Sequence, residues 1–572
     1  LERDRKLQPH CLACSKASNM SVLSACTLVG VFAAAVRGQQ VGTTQAEVHP
    51  PFNVQECAAG GACSELPGSI VMDMQWRWLH NQGGYTNCLV GGEWNPQYCP
   101  DAETCSKTCA LEGLDLDAYS QTYGVDPITG GVKLHYIAPE GAIASRVYLL
   151  ENDNSYRMFK LKNREITVTV DVSTLPCGLN GAIYFVEMPQ NGGLDGNLNT
   201  AGAKYGTGYC DAQCPRGMKF VKNLADVEDY KKITVKTPEL KEIQVGPVGK
   251  YGACCAEMDL YEANREASAY TAHPCKFEGV ERCVGEEECG NKDKGYMSDC
   301  DKDGCAWNDY RNGNKHFFGN GPENAVDTSK PVTLVTQFIT DDGTDAGDLK
   351  EIRRVWIQDG KVIDSAKATN IPHGGDSITD EYCDVAAKTF NETSYTFPKN
   401  GGLKSMGEAL ERGMVLTMSV WDDSLSRMLW LDGSKDVITE DTKDPGVIRG
   451  PCSFESGNAK LLHKQDKNAF VTFTDVKFGP IGSTFHGAAA APAAKFEVME
   501  DKVGRVPAAK SALSASGAGL IAAGFIMALA LFMVVRTGYG QFGMWLRGND
   551  MSRDLRLLVE TSPRDEEDPT TE

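Results

Sequence analysis

The chain has 572 residues, 41% of them hydrophobic, 59 glycines and a net charge of −20. Such a length and composition exclude a small peptide module or a wholly disordered chain and leave room for a sizeable core. The acidic balance excludes nucleic acid as a partner.

Residues 20–38 read as a secretory signal peptide, because Met20 opens an apolar run that ends in small residues. Cleavage is expected after Gly38 or after Ala35, and residues 1–19 read as upstream translated sequence. From 39 to 486 the pattern is mostly β. Residues 165–173 alternate, which places Ile166, Val168, Val170 and Val172 on one face. Residues 332–339, 414–421 and 470–478 read as further strands, with glycine-rich turns between them. Helical periodicity is confined to the region around 407–413. Several short strands with turn signals predict an all-β sandwich.

Of 21 cysteines, Cys11, Cys14 and Cys26 precede this domain and the other 18 run from Cys57 to Cys452. An even number in a secreted domain reads as a disulfide framework. Apart from His273 and Cys275, histidines and cysteines do not cluster at ligand spacing, so no metal and no cofactor is indicated.

Residues 487–511, which open on an Ala/Pro-rich stretch, read as a linker. Residues 512–535 form 24 positions without a charge, bounded by Lys510 and Arg536. At about 1.5 Å rise per residue such a helix crosses a bilayer. The mostly polar residues 536–572 argue against a lipid-anchor signal. A signal peptide followed by one span predicts a single-pass type I membrane protein, with the domain outside and 536–572 in the cytosol, or a secreted form after release. Asn391-Glu392-Thr393 is the N-glycosylation sequon of the extracellular part.

The most informative stretch is 252–264, where Glu257, Asp259 and Glu262 fall within six residues. A solvated acidic run is the plain alternative, but Met258, Leu260 and Tyr261 interleave with the acids and Cys254-Cys255 precede them. Paired acid/base work on a sugar bond needs one carboxyl ionised and one protonated, which gives clustered carboxylates a reason. It also suits an acidic secreted protein acting on a neutral polymer. Glu257 and Asp259 share a strand face, whereas strict alternation puts Glu262 on the other. For all three to act together the strand must bulge between Asp259 and Glu262. A regular ladder through Glu262 would exclude the catalytic reading.

The motif Cys254-Cys255-x-Glu257-x-Asp259-x-x-Glu262-Ala263-Asn264 resembles the active-site strand of glycoside hydrolase family 7, which holds retaining cellobiohydrolases and endoglucanases. Residues 49–51, 68–78, 175–184, 201–216, 273–275, 303–305, 421–423, 428–432, 449–450 and 478–484 resemble further family segments in the family's order. The resemblance covers about Gln45 to Thr484. It implies a curved antiparallel β-sandwich of the concanavalin-like jelly-roll type, with long loops that form a cleft or tunnel. It implies Glu257 as nucleophile, Glu262 as general acid/base, Asp259 as the assisting carboxylate and His273 close to the acid/base; a satisfied structural histidine before Pro274 is the equal alternative for His273. Retaining chemistry expects the two working carboxyls roughly 5–5.5 Å apart.

Trp76, Trp78, Trp421 and Trp430 match the family's sugar-stacking tryptophans. Core packing is the alternative for each taken alone, but the Trp76-x-Trp78 pair is expected to share a strand face. Asn180, Tyr184, Asp211, Gln213 and Arg449 match polar sugar contacts; hydrogen-bonded core roles would look the same. The resemblance further implies nine disulfides: 57–63, 88–109, 99–105, 177–452, 210–255, 214–254, 275–300, 283–289 and 305–383.

The long segment between Cys214 and Cys254, with an insertion over 230–243, and the long 431–449 segment resemble tunnel-forming members. The 289–300 segment is short, and Lys292 or Lys294 is the expected substitute for a product-contacting arginine there. The expected function is a monomeric retaining hydrolase of β-1,4-glucosidic bonds in cellulose, acting from chain ends to release cellobiose. An endoglucanase of the same family stays open, as does a non-catalytic glucan-binding protein, which would be expected to lose a carboxylate.

Overall fold

The computed structural model describes residues 39–236, 241–290, 298–434 and 445–485. Two nine-stranded sheets face each other across one continuous apolar core, the arrangement of a β-sandwich. The alternation in Arg164–Asp171 does what the pattern requires: Ile166, Val168 and Val170, with Val172 just beyond, are all buried. That strand lies between Val332–Thr340 and Phe470–Pro480, antiparallel to both, and Leu349–Gln358 extends the sheet past Val332–Thr340.

The second sheet carries the acidic strand. Ser145–Asn152, Met414–Asp422, Leu179–Val186, Glu257–Ala263, Ser268–His273 and Cys305–Trp307 lie side by side in that order, each antiparallel to the next. The expected bulge is present. Asp259 pairs with Thr271 and Glu262 with Ala269, so two residues of one strand oppose only Tyr270 of the other. On the opposite flank Asp259 pairs with Tyr184 and Tyr261 with Ile183, which leaves Leu260 as the extra residue. Leu260 and Tyr261, though consecutive, both enter the inter-sheet core.

Two helices pack around the sandwich, Gly402–Arg412 and Asp380–Thr389. The second carries an N-cap, Thr379, whose side chain accepts the Tyr382 N–H. All nine implied disulfides are formed, with the implied partners. Cys210–Cys255 and Cys214–Cys254 tie the loop that holds Asp211 and Gln213 to the residues just before Glu257.

The insertion forms a β-hairpin, Lys231–Lys236 with Glu242–Val248. Its Val235, Val245 and Val248 pack with Leu425 into an apolar cluster separate from the main core. Among the described residues no helix is long and apolar enough to cross a membrane. The expected signal peptide, linker, span and tail, and Lys292 and Lys294, lie outside the described residues.

Candidate active site

One cleft gathers Glu257, Asp259 and Glu262 with His273, Tyr184, Asp211, Gln213, Trp421, Trp430 and Arg449. The bulge explains how. With Leu260 and Tyr261 both turned inward, the alternation shifts by one and Glu262 emerges on the cleft side with Glu257 and Asp259. Period two supplies the rest of the floor: Ala182 and Tyr184 come from one neighbouring strand, and Ala269, Thr271 and His273 from the other.

Each carboxylate has a distinct setting. Glu257 is buried, and its Oε2 accepts the Ala212 N–H at 3.1 Å. Burial, reinforced by the charges of Asp259, Asp211 and Glu262, holds its carboxyl well above the usual range. Asp259 Oδ2 lies 3.0 Å from His273 Nε2. His273 Nδ1 lies 2.7 Å from the Asp301 carbonyl, which can only accept, so that nitrogen carries a proton. For Nε2 and Asp259 to bond as well, one proton must be shared between them. Burial alone would lower the His273 pKa, but its hydrogen bond to Asp259 and that carboxylate's charge raise it above the ordinary value. Gly304 makes this fit possible: at φ +64 it lies against the imidazole, where a Cβ would come within 2.5 Å of Nδ1.

Glu262 is partly exposed, and its Oε1 accepts from Asn180 Nδ2 at 2.9 Å. Asn180 Oδ1 in turn accepts the Ala263 N–H at 3.0 Å. Asn180 was expected to touch sugar. The structure instead buries it completely, outside the cleft lining, with its amide spent on orienting Glu262.

Asp211 closes the other flank. Its Oδ2 accepts from Tyr209 Oη at 2.7 Å and its Oδ1 accepts the Gln213 N–H at 2.8 Å. Burial pushes its pKa up to about 6, against the opposing Tyr209 bond and the Arg146 charge. Tyr184 Oη meets Tyr209 Oη at 3.0 Å. Gln213 Nε2 donates to the Lys302 carbonyl at 2.8 Å, while its buried Oε1 has no protein partner among the described residues. Trp421 and Trp430 stack with ring centroids 6.1 Å apart, and Arg449 Nη1 donates to the Trp430 carbonyl at 3.3 Å.

The other tryptophan pair departs from expectation. Met74–Trp76 is a 3₁₀ turn capped by Asp73, whose side chain accepts the Gln75 N–H, so Trp76 and Trp78 do not share a strand face. Trp76 is 4% exposed and donates its indole N–H to the Ala144 carbonyl. The Arg146 guanidinium lies over both Trp76 and the cleft residue Tyr209. Trp78 is 36% exposed, held by a 2.6 Å bond from its indole N–H to Asn87 Oδ1 and stacked on Tyr85.

The cleft also includes Tyr209, Thr271, Lys302, Asp303 and Asn308, which sequence reasoning did not single out. Period two offered a signal for one of them: Thr271 precedes His273 by two on the strand Ser268–His273.

Clustered carboxylates on the bulged strand of a lectin-like sandwich, beside stacked indoles, define a glycosidase cleft. The chain belongs to glycosyl hydrolase family 7, whose profile matches residues 41–485. A crystal structure of a family 7 cellobiohydrolase from Daphnia pulex is 42% identical, covers 78% of this chain and 100% of its own, and superposes with a TM-score of 0.72. A cellobiohydrolase from Melanocarpus albomyces complexed with cellotetraose is 35% identical, with 78% and 99% coverage and a TM-score of 0.68. The Humicola insolens endocellulase EGI is 35% identical, with 78% and 100% coverage and a TM-score of 0.65. Cellulose hydrolysis is thus the activity of this chain's neighbourhood, shared by enzymes of both exo and endo name.

Proposed function

We propose that the protein is a retaining cellobiohydrolase that acts on cellulose from chain ends and releases cellobiose. Glu257 attacks the anomeric carbon as the glycosidic C–O bond breaks, and Glu262 gives its proton to the departing oxygen. Water, deprotonated by Glu262, then attacks the same carbon and expels Glu257, restoring both groups. Asp259, paired with His273, holds the nucleophile's surroundings, and Trp421 and Trp430 offer flat faces to glucose rings.

The observation that carries the chain-end reading is the apolar clasp of the inserted hairpin. The hairpin ends just before Cys254, which is bonded to Cys214 beside the cleft residues Asp211 and Gln213. Leu425, which it packs against, falls in sequence between Trp421 and Trp430, both of which line the cleft. A contact between the insertion and this cleft-lining segment favours a chain threaded from its end over one bound at mid-length. Product analysis on crystalline cellulose beside a soluble substituted glucan tests this. Mostly cellobiose with little fall in viscosity is expected; rapid loss of viscosity would indicate endo action. Glu257→Gln is expected to abolish cellobiose release while cellulose binding persists, and unchanged hydrolysis would refute the nucleophile.

The apolar residues 512–535 lead us to place this domain on the outer face of a membrane, tethered by that segment. Retention of the full chain in the membrane fraction after alkaline extraction, with protease-accessible catalytic domain, is the expected result.

A further inference from the structure

The bulge that brings Glu262 into the cleft leaves a backbone debt on its other side. Leu260 is unpaired in both flanking ladders, and its residue is buried in the inter-sheet core, where an unsatisfied carbonyl is costly. One side chain answers it. Arg354, on Leu349–Gln358 of the facing sheet, crosses the core and donates from Nη2 to the Leu260 carbonyl. Its Nε donates to Thr336 Oγ1 at 3.2 Å, and its guanidinium lies over the Tyr270 ring at 4.6 Å and near Trp356 at 5.1 Å.

A buried guanidinium normally sits opposite a carboxylate. Arg354 is 1% exposed, and among the described residues it makes no ion pair with any carboxylate within 4.0 Å. Burial lowers its pKa to about 10, so the cation is held at a cost. Core packing alone would be served better by an apolar residue of the same length. What the arginine supplies, and an apolar residue would not, is a donor at the bulge.

We infer that Arg354 is a positioning residue: from the opposite sheet it locks the Leu260 bulge and thereby aims Glu262 at the leaving oxygen. The inference rests on the proposed role of Glu262. Tyr270, opposite the bulge in the ladder and beneath the guanidinium, and Thr336 complete the lock; none of these groups lines the cleft. A lock of this kind touches the acid/base and leaves Glu257 and Asp259, which sit before the bulge in regular register, in place.

That asymmetry is the test. A good leaving group departs without a proton, so a misaimed acid harms only substrates with poor leaving groups. In the full-length protein, kcat/KM is measured for dinitrophenyl and methylumbelliferyl β-cellobiosides with Arg354→Met and, as reference, Glu262→Gln. Arg354→Met is expected to lose about 100-fold on the methylumbelliferyl substrate, the order of loss a displacement of about 1 Å brings, and less than about threefold on the dinitrophenyl one. Deglycosylation, which needs the base, should slow, and azide should restore it. Equal losses on both substrates, or none on either in folded protein, would overturn the inference. Should Arg354→Met not accumulate, Arg354→Lys, which keeps a donor and a charge, decides by the same ratio: a selective loss smaller than that of Glu262→Gln supports the lock, an equal loss on both substrates or no loss overturns it. If Glu262→Gln itself shows no dependence on leaving group, the role of Glu262 fails first, independently of Arg354.

Discussion

Leu425 tests whether the hairpin clasp governs chain-end action. Its side chain is buried among Val235, Val245 and Val248, with Ile233 and Ile243 packed alongside, and belongs to neither of the two larger cores. Leu425→Ala removes three apolar carbons from this contact. At about 0.8 kcal/mol for each buried carbon, the clasp weakens by about 2.4 kcal/mol. A closed-to-open ratio then shifts by about 50-fold. Because the cluster is separate from the main core, the loss falls on the clasp and global unfolding should move little. The assay is the ratio of soluble to insoluble reducing ends on crystalline cellulose, read beside viscosity loss of a soluble substituted glucan. The ratio is expected to fall and viscosity loss to quicken, while hydrolysis of a small cellobioside stays near wild type. An unchanged ratio would refute the argument that the clasp confines the chain. Loss of small-substrate activity would refute it differently, by showing that Leu425 supports the carboxylates themselves.

Two further outcomes follow from the same geometry. Asn180→Ala removes the 2.9 Å bond to Glu262; kcat on a methylumbelliferyl cellobioside should fall about 10- to 100-fold with KM nearly constant, whereas a change mainly in KM would return Asn180 to sugar binding. Asp226, buried beside the hairpin with Oδ1 and Oδ2 facing the Lys250 and Tyr251 N–H groups, has its pKa pushed up to about 7 by burial. A carboxyl raised in the folded state favours folding below its unfolded pKa, and that contribution is lost as pH rises through the folded value. Asp226→Asn should therefore flatten the fall in melting temperature between pH of about 4 and about 7. A parallel fall in variant and wild type would show that Asp226 does not contribute.

Much of this was legible beforehand because the relevant signals are periodic or local. The alternation at 166–172 is a direct consequence of a strand buried on one face. The bulge could be deduced from parity once three acids were required to meet. Arg354 could not, because in Leu349–Gln358 it follows Lys350, Glu351 and Arg353 and reads as part of an exposed charged stretch. The Trp76-x-Trp78 spacing misled for a local reason: Asp73 caps a turn and takes the chain out of extended geometry. An aspartate three residues before Trp76 was the available sign. Asn180 shows a different limit. A polar residue beside the cleft is required equally by a sugar hydroxyl and by a carboxylate in need of orientation, and only the burial of its amide separates the two.

The electrostatics of the cleft connect these parts. Glu257, Asp259, Glu262 and Asp211 line one cleft, and after burial their mutual repulsion is among the reasons Glu257 resists ionisation. A nucleophile, however, must be ionised. The proton shared by His273 and Asp259 eases that conflict, since an imidazolium there offsets one negative charge next to Glu257. The remaining negative charge gains a use as the glycosidic bond breaks and positive charge grows on the sugar ring. The repulsion that penalises the resting site becomes attraction in the transition state, and it does so only if Glu262 is held on the same side of the strand. The bulge is therefore an electrostatic requirement as much as a geometric one. Without it, Glu262 would face the inter-sheet core, away from the cleft that holds Glu257 and Asp259.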